Sequence, residues 1–190
     1  MIDWDKVADF IFEMGMLKRV DREGWKLIGV SHPEQVAAHS LRAAQIGYIL
    51  ALLEGYEDPS EVCAMLVFHD IGEARIGDIH KVASRYIVDD ESKAVKDQFH
   101  GLQKIGDELY TLWEQVEVRQ TTAGIIAKDA DLLEMAATAC EYKSQGFSGA
   151  ESWVERTAQR LTTASAKDLF KILRQRNPEA WWEHLKSFNK

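Results

Sequence analysis

The stretch Val62-Cys63-Ala64-Met65-Leu66-Val67-Phe68-His69-Asp70-Ile71-Gly72-Glu73 runs from an unbroken apolar segment into a His-Asp pair, and Glu73 follows three residues after Asp70. Just before it, Asp58-Pro59-Ser60-Glu61 has the spacing of a capping box with proline in the first turn, so a helix is predicted from there to about His69. Gly72 and Gly77 end the pattern. An apolar helix thus delivers an imidazole and two carboxylates in quick succession, the donor types that a borderline divalent ion takes. Adjacent helical residues point about 100° apart, so His69 and Asp70 can share one ion only if other helices supply the remaining ligands from inward faces.

His39 satisfies that condition. Val36 lies three residues before it and Ala43 and Ile46 four and seven after, which puts it on the apolar stripe of a helix predicted over about 34–54. A mid-helix carboxylate in Ile125-Ile126-Ala127-Lys128-Asp129-Ala130-Asp131-Leu132-Leu133 is a further candidate, because an unpaired carboxylate among apolar residues is expensive to bury. Spacing does not choose between Asp129 and Asp131: Ile125 and Leu133 flank the first, Ala127 and Met135 the second.

Outward from these motifs the chain reads as all-α. It has three prolines, and its long segments carry helical rather than alternating periodicity. Trp4, Val7, Phe10, Ile11 and Met14 mark a first helix ending near Leu17. Ser31-His32-Pro33-Glu34 is a second capping-box signal, and Val95 to Val116 reads as one long helix, with another from Thr121 to about Tyr142. Ser148 to Glu151 caps a helix to about Leu161, Ser165 opens the next, and Asn177-Pro178 starts a short terminal one. Asp89-Asp90-Glu91 reads as an exposed helix start, and His184 as packing or surface. Only Lys26–Val30 and Tyr86–Val88 are candidates for a strand.

The 190 residues suit one domain over 1–190, with a motif-bearing core over about 14–146 and C-terminal helices over about 150–190. No apolar run approaches the roughly 20 residues of a membrane span, and the N-terminus has no secretory pattern, so a cytoplasmic protein without membrane association is expected. Cys63 and Cys140, each among apolar residues, read as small buried hydrophobes. A net charge of −8 argues against long nucleic acid as partner, although a metal ion and local cations can still hold a small phosphorylated molecule. Trp181-Trp182 is a candidate oligomer contact, and a homodimer or higher homo-oligomer is expected.

The order His39, His69-Asp70, Asp131 on a helical chain of this length resembles the HD-domain superfamily of metal-dependent phosphohydrolases. Leu17-Lys18-Arg19, Ala38-His39-Ser40, His69 to Glu73, Gly77-Asp78-Ile79 and Lys128 to Asp131 are similar to its 5′-deoxynucleotidase branch. The resemblance implies an HD-type helical bundle with a metal site between helices, and metal ligands at His39, His69, Asp70 and Asp131. It also implies acid/base carboxylates at Glu73 and Asp78, and a phosphate-holding Arg19. The implied activity is release of phosphate from (deoxy)nucleoside 5′-monophosphates, with another phosphoester substrate or a metal-stabilised interaction module as alternatives. Val20 stands where the best-known members carry a Trp that closes on the sugar 2′ position, which leaves ribose or deoxyribose open. Open coordination positions for water and a phosphate oxygen favour one six-coordinate Mn²⁺, Co²⁺ or Fe²⁺, ahead of Zn²⁺, Ni²⁺ or Mg²⁺.

Overall fold

The computed structural model describes residues 2–88 and 90–186, and the backbone alone at His184. Helix α1 (Trp4–Met14) begins at Asp3, whose carboxylate accepts from the backbone N–H groups of Asp5 and Lys6. A 3₁₀ turn, Gly15–Lys18, follows it. The central helices are α2 (Val36–Leu53), α3 (Pro59–Phe68) and α7 (Thr122–Ser144). The order is completed by α4 (Glu73–Ile76), α5 (Glu91–Phe99), α6 (Lys104–Val118), α8 (Glu151–Ala158), α9 (Ala164–Leu173) and α10 (Ala180–Glu183). Among the described residues no strand forms; a single antiparallel bridge joins Asp21 to Gln35. The expected strand at 26–30 falls largely within the 3₁₀ helix Glu23–Ile28.

Helix α2 packs on both α3 and α7 and buries one broad face against them, from Val36 and His39 to Leu50 and Ala51. Gly47 permits the close approach: a Cβ there would stand 2.2 Å from Leu66 Cδ1 and 3.2 Å from Val62 Cγ1. By length and composition α2 is also apolar enough to cross a membrane, a property that inspection for apolar runs does not register. In the fold it is a core helix, with Leu41, Tyr48, Ile49, Leu52 and Leu53 left exposed on its outer side.

Two apolar clusters form the interior. The larger includes Leu50, Met65, Leu66, Ile126 and Leu133; the smaller includes Phe10, Leu17, Val36, Ile71, Val95, Phe99 and Trp113. His39 lies between Val36 of the smaller and Ala43 of the larger, so the cluster of polar groups around it sits where the two meet. Cys63 and Cys140 are half-buried rather than buried and pack against the larger one.

Three local expectations change. The Ser31-His32-Pro33-Glu34 box does not cap α2, which starts at Val36 with Gln35 as an N-cap lacking a side-chain bond. The backbone there is extended because Arg22 N–H bonds Glu34 C=O at 2.9 Å and Val36 N–H bonds Val20 C=O at 2.9 Å. The expected helix over 95–116 is two, α5 and α6, divided at Gly101 (φ +91°) and Gln103 (φ +55°). Both halves still feed Val95, Phe99 and Trp113 to the smaller cluster. Thr163 rather than Ser165 caps α9. Of the acidic helix start at 89–91, Asp90 caps α5 through Lys93 N–H; Asp89 and the His184 side chain lie outside the described residues.

Candidate metal centre

Helix α3 ends at Phe68, and His69 follows with helical dihedrals (φ −62°, ψ −36°) that let its ring fold inward, 3% exposed. His69 Nδ1 lies 2.8 Å from the Leu66 carbonyl oxygen, which can only accept, so Nδ1 carries the proton and the Nε2 lone pair is free. The same arrangement recurs at His39, on α2 and fully buried, where Nδ1 donates to Glu134 Oε2 in a very short contact. Glu134 is itself held by Arg42 Nε at 2.9 Å and Thr138 Oγ1 at 3.0 Å.

The two Nε2 atoms then face each other at 3.3 Å. Asp70 Oδ2 lies 3.2 Å from His69 Nε2 and 3.5 Å from His39 Nε2, and Asp131 Oδ1 lies 3.3 Å and 3.9 Å from the Nε2 atoms of His39 and His69. Ligands on neighbouring corners of a six-coordinate ion with bonds of about 2.1 Å stand about 3 Å apart; His39, His69 and Asp70 together offer atoms close enough to share a cation, and Asp131 approaches the same two rings. The chemistry fits too: facing imidazole lone pairs and two carboxylates need a positive centre between them. Each His Nδ1–H is anchored from behind, which fixes the tautomer that ligation requires.

Asp129, the competing carboxylate, goes elsewhere. It accepts from Thr162 N–H at 3.0 Å and from Thr163 N–H and Oγ1–H at 2.6 and 2.8 Å, tying α7 to the start of α9. Asp131, two residues on, turns about 200° around the helix to the other side, toward His39, and its second oxygen takes Lys128 Nζ at 2.6 Å.

Electrostatics separate the carboxylates into two kinds. Burial alone would raise the pKa of Asp70, but His69 and Arg22 hold it well below the usual carboxylate range. Asp131 is likewise buried and likewise held low, by Lys128, His39 and His69. Glu73 goes the other way: burial, then Asp70, outweigh Arg22 and push it up to about 10. One of its oxygens, Oε2, is buried with no hydrogen-bond partner among the described residues. Asp78 is raised, chiefly by burial. Burial and the charge of Arg22 would lower the pKa of His39, but Asp131 and Glu134 push it up to about 10, so without a cation Nε2 also holds a proton, and ligation requires that proton to leave.

Arg22 is the cation that sequence reading missed. Its Nη1 lies 3.2 Å from Asp70 Oδ2 and 3.9 Å from Glu73 Oε1, and its Nε 3.8 Å from Asp78 Oδ2. The bridge at Asp21–Gln35 and the buried Trp25, whose Nε1–H donates to Glu34 at 3.2 Å, pin this irregular segment over the end of α3. No periodicity marks such a segment, so the residue carried no signal. Glu134 had one: like Asp131, it is a carboxylate in the apolar run of α7.

Arg19 does not join this cluster. It is exposed, and its Nη1 lies 3.8 Å from Met16 Sδ. Val20 packs against the smaller core cluster. Beside the site, Arg22, Trp25, Asp78, His80, Lys81 and Trp153 line a cavity of about 130 Å³. His100 lines a different cavity, with Lys96 and Tyr110.

The chain matches the HD domain family over residues 14–173. It is 32% identical over 147 residues to the 5′-deoxynucleotidase HDDC2 of Dictyostelium discoideum, covering 72% of this chain and 77% of that protein. To the 5′-deoxynucleotidase HDDC2 of Homo sapiens it is 29% identical over 141 residues, covering 72% and 68%. The fold is similar to that of a conserved hypothetical protein from Pyrococcus furiosus, with a TM-score of 0.74, 31% identity and coverage of 89% and 99%. A predicted metal-dependent phosphohydrolase from Magnetospirillum magnetotacticum shares the fold at 24% identity and a TM-score of 0.68, covering 90% and 93%.

Proposed function

Because the chain belongs to the HD domain family, we propose that it is a metal-dependent phosphohydrolase, and that it releases phosphate from (deoxy)nucleoside 5′-monophosphates as relatives named 5′-deoxynucleotidase do. The observation that carries this is the convergence of His39, His69, Asp70 and Asp131 beside Glu73, a largely buried carboxyl group whose Oε2 has no hydrogen-bond partner among the described residues. A structural metal site needs the four ligands; only chemistry needs the acid.

In this reading the four residues hold one divalent ion, Mn²⁺, Co²⁺ or Fe²⁺ ahead of Zn²⁺, Ni²⁺ or Mg²⁺. Bound there, such an ion supplies an activated water and charge neutralisation at the phosphoryl group. The protein's own groups do the rest. Arg22, already beside Asp70, Glu73 and Asp78, offsets charge that develops on the phosphate oxygens, and the exposed Arg19 is free to take an outer oxygen. Glu73, protonated, gives its proton to the leaving O5′; Asp78, near Arg22, orients the reacting water and the sugar.

We take residues 1–190 as a single HD domain that works in the cytoplasm as a homodimer. The stripe Leu41, Tyr48, Ile49 and Leu52 on α2 supports the dimer, since so much contiguous apolar surface is costly to leave wet. The test is metal analysis of the purified protein, then phosphate release from matched ribo- and deoxyribonucleoside 5′-monophosphates with each divalent ion. Absence of release with every ion sinks the proposal.

A further inference from the structure

The cavity that begins at Arg22 and Asp78 does not end there. Lys81, Met135 and Trp153 also line a second cavity of about 250 Å³, whose far side carries Arg156 and Arg160 and whose lining includes no acidic residue. The two cavities therefore adjoin across Lys81, Met135 and Trp153, with the site on one side and Arg156 and Arg160 on the other. The positive charge is gathered from several elements: Lys81 follows α4, Lys128 is on α7, Arg119 caps α6, and Arg156 and Arg160 lie in and just after α8. Among the described residues Lys81, Arg119, Arg156 and Arg160 form no ion pair. Partial burial and repulsion by Arg160, Lys128, Arg156 and Arg119 lower the pKa of Lys81, as expected where cations face one another. In a chain of net charge −8 these four exposed cations make a local positive face that an anion can occupy.

Resting on the reading of the site as a nucleoside 5′-phosphate hydrolase, we propose that the second cavity takes a second phosphate carried on the nucleoside. The preferred substrates are then nucleoside 5′-phosphates with phosphate at O3′, either as nucleoside 3′,5′-bisphosphates or as 5′-phosphorylated dinucleotides. The 5′-phosphate sits at the site, the nucleoside lies along Trp153 and Met135, and the guanidinium groups of Arg156 and Arg160 pair with the O3′ phosphate. In the reaction water oxygen bonds to the 5′ phosphorus, the P–O5′ bond breaks and O5′ gains a proton. The products are inorganic phosphate and a nucleoside 3′-phosphate, or a dinucleotide with a free 5′-hydroxyl, and the O3′ phosphate is untouched.

Two measurements test this. In turnover, kcat/KM for the bisphosphate or the phosphorylated dinucleotide should exceed that for the plain 5′-monophosphate by about tenfold, a margin that shrinks as salt rises. A gain for the bisphosphate alone assigns a terminal phosphate, and for the dinucleotide alone a bridging one. In binding, calorimetry on the metal-loaded protein should find a nucleoside 3′-phosphate, which lacks the scissile group, about tenfold tighter than the nucleoside. The double variant Arg156→Gln/Arg160→Gln should bring both ratios to near one, Arg156→Lys/Arg160→Lys should keep part of them, and Lys104→Gln/Lys171→Gln, with the same charge change elsewhere, should keep them whole. Phosphate release without any advantage from the O3′ phosphate overturns this inference alone. No release from any substrate, with 3′-phosphate binding that depends on Arg156 and Arg160, overturns the hydrolase reading and leaves the anion cavity standing.

Discussion

Glu134, fully buried on α7, accepts the Nδ1 proton of His39 on α2 and so turns His39 Nε2 toward His69 Nε2, 3.3 Å away. A carboxylate behind the imidazole fixes the ring and raises its basicity, and removing it releases both. Glu134→Ala should therefore weaken metal binding by roughly 10–100-fold. Competitive titration against a chelating dye measures this; unchanged affinity would mean that α2 alone orients the ring.

Asp129 and Asp131 are two residues apart and should fail in different ways. Asp131→Ala should cost the bound metal and the turnover. Asp129→Ala leaves the backbone donors of Thr162 and Thr163 without their acceptor and should lower stability by about 1–3 kcal/mol while metal still binds. Denaturant unfolding and metal analysis on both variants separate the two.

Glu73→Gln should keep metal but lower kcat by about 10²–10⁴-fold, as expected for loss of a general acid. The same group leaves a mark on stability. Its pKa in the folded, metal-free protein is raised from 4.5 to about 10, so its contribution is fully present below about pH 4.5 and is lost as pH rises toward 10. Unfolding free energies measured across that window should decline more steeply in the wild type than in Glu73→Gln. Parallel slopes would show that Glu73 ionises normally.

Arg22 and Arg19 should separate kinetically. Arg22 shares three carboxylates of the site, and Arg22→Ala should lower kcat/KM by about 10²–10³-fold, with partial rescue by lysine. Arg19→Ala should act mainly on KM, since an exposed guanidinium contributes binding to the ground state and the transition state alike. Steady-state kinetics in nucleoside 5′-monophosphate decide between these outcomes.

Leu41→Glu together with Ile49→Glu should give a folded monomer, because two carboxylates on the exposed side of α2 would be buried in any interface formed there. Sedimentation velocity gives the mass, and circular dichroism the helix content. A wild type that already sediments as a monomer removes the basis for the dimer.

Part of this protein is legible in the chain because it is local. Apolar spacing around His39 puts its ring inward, and Asp58-Pro59 starts α3 where a cap and a proline allow it, since both depend on residues within a turn or two. The break at Gly101 is harder to read, because the apolar period continues across it and only the packing of α6 back on α5 requires the turn.

The site divides along the same line. Sequence alone determined an all-helical chain, an inward histidine, a His-Asp pair at a helix end and a carboxylate in α7. Spacing left Asp129 and Asp131 open and only the family resemblance pointed to Asp131; the contact of Asp131 with His39, and the presence of Arg22 beside Asp70, Glu73 and Asp78, came from the tertiary structure. Periodicity says which way a side chain faces relative to its own helix. What it meets there depends on elements distant in the chain, and Glu134 lies 95 residues from the His39 it orients.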